Sequence, residues 1–172
     1  MDFAELSGIV LTKLPERLQT NPGVAAMAAH RTEIDGWLLS ELLGVLVEAG
    51  CRPEPRPDKE RLDVVFGKWG LDVRSLVTNM PCAAAKDRTQ SIKKTISDMT
   101  KEIWKLTNPG KTSRKNRALV FAAYPAEHDN ERWQSVFLRQ IATELTKLEY
   151  TSFTFSNGVP GILYLGLCTE VV

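Results

Sequence analysis

The sequence predicts an α/β domain with a mixed central β-sheet flanked by helices. Three patterns predict it. At least three stretches carry apolar residues at helical spacing, two short alternating runs bracket a glycine-containing turn, and residues 118–124 form a nearly continuous apolar run. A run of that last kind reads as a central strand covered on both faces. The 172 residues suit one domain, divided here into an N-terminal helical extension, 1–31, and a core, 32–172.

Phe3, Leu6, Val10 and Leu14 recur every three or four residues, so residues 2–14 are expected to be a helix ending near Pro15. Asn21-Pro22-Gly23 is a break, and the alanine-rich residues 24–29 are expected to be helical. Thr32-Glu33-Ile34-Asp35 has the form of a capping box, with an acidic residue three after the threonine. Ile34, Trp37, Leu38, Leu42, Val45 and Leu46 then fall on one stripe, which stops at Ala49-Gly50. Prolines at 53, 55 and 57 make that segment an extended connector. Residues 62–66 and 71–76 are strand-like and flank the turn residues Gly67-Lys68-Trp69-Gly70. Residues 77–88 show no clear period. Ile92, Ile96, Met99, Ile103 and Leu106 predict a helix over 89–106, ended by Asn108-Pro109-Gly110. A basic loop leads into the 118–124 strand. Trp133, Val136, Phe137, Ile141, Leu145 and Leu148 predict a further helix over 130–148, and two strands, 150–155 and 162–168, flank a turn at 156–161.

Composition bounds the function. Charged residues are 25%, apolar residues 43% and net charge +1, so any electrostatic site must be local. Cys51, Cys82 and Cys168 are far apart and odd in number, without zinc-ligand spacing, which points to a reducing compartment. His30 and His128 have no partner at ligand spacing, and the glycines form no phosphate-binding loop. The acidic start, Met1-Asp2-Phe3-Ala4-Glu5, is not that of a signal peptide, and no apolar run approaches the roughly 18 residues of a membrane span. A cytoplasmic protein without a membrane partner is expected. Trp37, Trp104 and Trp133 sit on or beside apolar stripes and are expected in core or interface positions.

Chemistry concentrates on the hairpin. Strand side chains alternate, so Asp63 shares a face with Val65, and Asp72 with Arg74. With the turn centred between Lys68 and Trp69, Asp63 opposes Arg74 and Val65 opposes Asp72. Two carboxylates and a cation then meet on one face. A hard cation such as Mg²⁺ or Mn²⁺ binds through one or two carboxylates plus phosphate. The alternative is a cross-strand ion pair between Asp63 and Arg74 with no metal at all.

In its element order and short motifs the chain resembles the PD-(D/E)xK, or restriction-endonuclease-like, superfamily. The resemblance covers about residues 32–150 and rests on Glu33, then Asp63, then Asp72-Val73-Arg74, followed by a helix, an apolar strand and another helix. It implies a restriction-endonuclease-like core and Mg²⁺- or Mn²⁺-dependent phosphodiester hydrolysis. Asp63 and Asp72 would be metal ligands, Glu33 would assist the metal or the water, and Arg74 would stand at the scissile phosphate. Two departures are plain. Leu62 rather than proline precedes Asp63, and arginine stands where the family has lysine. Arginine keeps the charge but cannot be deprotonated at working pH. A binding-only descendant of the family, acting as an assembly subunit, is the second reading. Glu33 can alternatively serve only the helix dipole.

Residues 86–117 hold ten basic and three acidic residues in a chain of net charge +1. Such segregation suits a phosphate-binding face, for which Lys93, Lys94, Lys101, Lys111, Arg114 and Lys115 are the candidates, or else a solvated helix face. The expected partner is nucleic acid, DNA before RNA. A protein partner or a second copy of the chain is the alternative.

Overall fold

The computed structural model describes residues 1–55, 62–87, 91–108 and 115–169. Its architecture is mixed α/β: a six-stranded mixed sheet with helices on both faces. Three helices come first, α1 (Phe3–Thr20), α2 (Pro22–Ala29) and α3 (Asp35–Glu48). Strands β1 (Glu54–Pro55), β2 (Val64–Phe66) and β3 (Trp69–Val77) follow, then helix α4 (Lys93–Thr107) and strand β4 (Asn116–Tyr124). A π-helical turn, Trp133–Leu138, runs into α5 (Arg139–Ala142) before β5 (Lys147–Thr154) and β6 (Pro160–Thr169). The strand order is β1-β2-β3-β4-β6-β5, and β3–β4 is the parallel pair.

Alternation on the central strand accounts for its unbroken apolar run. Ala118, Val120, Ala122 and Tyr124 point into a core shared with α1, α2 and α3, whereas Leu119, Phe121 and Ala123 point into one shared with α4 and α5. Covered on both sides, every residue of β4 is buried. The N-terminal 31 residues contribute to the first of these cores through Phe3, Leu6, Val10, Leu14 and Leu18. Helix α1 continues past Pro15, where the sequence suggests a stop. An interior proline costs about 3 kcal/mol. Full burial of Leu18 opposes that cost, as do Arg17 ion pairs to Glu41 and Glu48 of α3, both at 2.5 Å.

Several boundaries differ from the sequence expectation. The predicted capping box at Thr32 does not form: α3 begins at Asp35 with Ile34 at its N-cap and no side-chain cap. Helical structure after residue 130 ends at Ala142, not 148, because β5 starts at Lys147 and pairs along its length with β6. Leu145 and Leu148 keep a helical spacing but pack beneath the sheet from a turn and a strand. The hairpin is present, its register set by a two-residue loop, Gly67-Lys68, with Gly67 at φ 48°. Val64 pairs with Leu71 and Val65 with Gly70 and not Asp72, two residues from the register the sequence suggests, and Asp63 lies just outside the ladder. The Asp63 N–H donates to Leu71 O at 2.9 Å, one residue off the register of the ladder, so the pairing is irregular just before β2. A two-residue shift preserves the face, so the three charged side chains still converge.

Candidate functional site

Asp72 and Arg74 project from β3 toward α4, and Asp63 enters the same space from just before β2. Asp72 is 1% exposed, while Asp63 and Arg74 are each about one-third exposed, with side chains at 30% and 32%. The guanidinium lies between the carboxylates. Its Nη2 is 3.0 Å from Asp72 Oδ1, and its Nη1 is 3.4 Å from Asp63 Oδ2. Nη1 also donates to Val73 O at 2.9 Å, and the Val73 N–H donates to Asp63 Oδ2 at 2.8 Å. The Asp72–Arg74 contact has ion-pair distance without hydrogen-bond alignment, so Asp72 Oδ1 is a buried acceptor with no donor aimed at it. Burial pushes the Asp72 carboxyl up to about 8, and a hydrogen bond with Asp63 adds to the rise. Arg74 pulls the other way without cancelling it. At neutral pH Asp72 is therefore largely protonated beside the Arg74 guanidinium.

Beside this cluster lies a cleft of roughly 320 Å³, walled by Glu33, Asp35, Arg74, Lys94, Asp98 and Glu102 among others. Asp63 and Asp72 are not on its wall; Arg74 separates them from it. Glu33 reaches the cleft from the exposed stretch before α3, not from the helix itself as the sequence suggests. Asp35 takes the first helical position and turns its carboxylate across to β3. There it accepts from the Ser75 N–H at 2.5 Å and from the Ser75 hydroxyl, which in turn accepts from the Ile34 N–H at 2.8 Å. This link fixes the start of α3 against the strand that carries Asp72 and Arg74.

Asp35, Asp98 and Glu102 join the site without having stood out as site residues in the sequence. A signal is present for two of them: residues 94, 98 and 102 recur at four, which puts them on one flank of a helix. Among the described residues, no three His, Cys, Asp or Glu side chains are grouped as a metal set. Among the described residues, the lysines of the basic segment lie apart. Lys94 lines the acidic cleft, while Lys93 and Lys101 lie on the other flank of α4. Lys115 donates to Gly67 O at 2.9 Å, at the hairpin turn. Lys111 and Arg114 lie outside the described residues. Of the core and interface positions expected for the tryptophans, Trp133 takes a core one, whereas Trp104 is 59% exposed and lies outside the core.

Comparison with family models, with curated proteins and with solved structures gave no match. No helix among the described residues is long and apolar enough to cross a membrane.

Proposed function

We propose that this chain is a nucleic-acid-associated protein of the restriction-endonuclease-like type, with Asp63 and Asp72 as the seat for a divalent ion. One observation carries the reading: two acidic side chains, Asp63 from just before β2 and Asp72 from β3, meet at one cation, Arg74, two residues along β3 from Asp72. The element order supports it. A helix precedes an antiparallel β1–β2–β3 unit, and α4 crosses over to β4, parallel to β3.

The donor set suits a hard cation. Asp63 supplies a partly exposed carboxylate, and Asp72 supplies a buried oxygen without a donor. Arg74 occupies the space between them and faces the cleft, so it has room to turn outward as a ligand enters. Bound there, Mg²⁺ or Mn²⁺ would act as a Lewis acid toward a phosphate and favour ionisation of a water. The chain's own residues would do the rest. Arg74 neutralises charge on the phosphate oxygens, and Glu33 on the cleft rim accepts a proton from the attacking water. Asp35 positions the start of α3 through Ser75.

A second reading is binding without cleavage, favoured by the guanidinium already bridging both carboxylates. The test uses duplex, single-stranded and branched DNA and RNA, with Mg²⁺ or Mn²⁺, and compares wild type, Asp72→Asn and Arg74→Lys. Metal-dependent cleavage that Asp72→Asn abolishes and Arg74→Lys raises supports the nuclease. Binding by all three without cleavage gives first place to the binding-only reading. No binding of any nucleic acid at low salt overturns both.

A further inference from the structure

A groove of roughly 560 Å³ runs between α4 and the helical segment of the π-turn and α5. Its cations are Lys93, Lys101 and Arg132, all exposed, and none of its described lining residues is acidic. Lys101 pairs with Asp98 at 3.5 Å, both side chains exposed, a contact worth little in water. Ser97 and the second amide N–H of Gln140 add neutral donors to the lining, while the Thr100 hydroxyl donates to Ile96 O. On α4 the positions 93, 97, 100 and 104 succeed one another at spacings of four, three and four, so they share one stripe. That stripe ends in Trp104, the one exposed indole among the four tryptophans.

We infer that this groove binds a single strand of nucleic acid, its phosphates held by Lys93, Lys101 and Arg132 and a base stacked on Trp104. The inference rests on the nucleic-acid reading above and adds the route and form of the ligand. Repeated cations accompanied by hydroxyl and amide donors, beside an exposed aromatic face, are what a single strand requires. A strand with its bases unpaired can place one on an exposed indole, which a duplex with its bases stacked inside cannot. An acidic peptide would use the cations but has no need of the indole. Ser91 lines both this groove and the Arg74 cleft, so a strand leaving the groove around the start of α4 arrives at Arg74.

The test measures anisotropy of labelled oligo(dT) and of a duplex over a salt series, together with intrinsic tryptophan fluorescence. Wild type should bind oligo(dT) with quenching. Trp104→Ala should remove the quench and weaken binding roughly 5- to 100-fold, the range of one stacked base. Lys101→Glu with Arg132→Glu should weaken binding at least about tenfold and flatten the log–log salt slope by about 0.7 for each phosphate no longer neutralised. Lys13→Glu on α1 should change nothing. Duplex binding with no oligo(dT) binding, or variants that bind like wild type, overturns the groove and leaves the nucleic-acid reading standing. Absence of all nucleic-acid binding overturns both. Competition by polyglutamate that depends on the cations but not on Trp104 overturns the single-strand assignment in favour of an acidic protein partner.

Discussion

Replacing Asp72 by asparagine removes a titrating proton from the core while keeping the side chain's shape. In the folded chain the Asp72 carboxyl titrates near 8 against an ordinary value of 3.8, chiefly because it is buried. Between those values the folded state holds a proton that the unfolded state has released. Stability must therefore fall as pH rises through the window, by about 1.4 kcal/mol per pH unit for this one group. The contribution is fully present below the unfolded value, is lost progressively as pH rises, and reaches a constant penalty above the folded value. From pH 6 to 8 the loss is about 2 kcal/mol on the same relation. In a chain of this size that corresponds to roughly 4–8 °C in Tm. An asparagine side chain cannot ionise, so Asp72→Asn should lack this slope and gain on wild type steadily from pH 5 to pH 8. Thermal melts followed by circular dichroism in EDTA, at half-unit pH steps, measure the gap between the two proteins. Parallel curves over pH 5–9 would refute the reasoning, since they would mean that Asp72 is ionised throughout.

Other outcomes follow from the same geometry. Arg74→Ala leaves Asp63 and Asp72 without their shared cation and should cost about 1–3 kcal/mol at pH 8, read from urea unfolding. Asp35→Ala strands the Ser75 N–H and should cost about 1–3 kcal/mol, with Asp35→Asn recovering part of it because one acceptor oxygen remains. Gly161→Ala would drive a methyl well inside van der Waals distance of the buried Phe153 ring, so a loss of about 1–3 kcal/mol in the same unfolding assay is expected.

The elements legible in the sequence were those whose pattern came from being buried. β4 showed as an apolar run because helices cover both its faces, and α4 showed as a stripe because one side meets the sheet. The paired carboxylates were legible as a face because alternation survives a two-residue error in register. What the sequence hid was tertiary. Pro15 is carried through α1 by contacts Arg17 makes 24 and 31 residues away. Thr32 lost its capping role because Asp35 is held by Ser75, 40 residues on. Leu145 and Leu148 continued a helical spacing by coincidence, and only pairing with β6 decides that the chain there is extended. The burial that raises the Asp72 proton affinity was equally invisible, since nothing in the sequence separates Asp72, 1% exposed, from Asp63, which stays about one-third exposed.

The parallel β3–β4 pair bears on how the chain is made. A parallel neighbour cannot be reached through a tight turn, and β4 begins 39 positions after β3 ends. At roughly 5–20 residues per second of synthesis, β3 waits about two to eight seconds for that partner to be made. During the wait the hairpin presents a nine-residue, largely apolar strand with an open row of N–H and C=O groups. Nascent chains halted after α4 should accordingly be bound by chaperones and prone to aggregate, whereas those extended through β6 have the ladder that closes the edge.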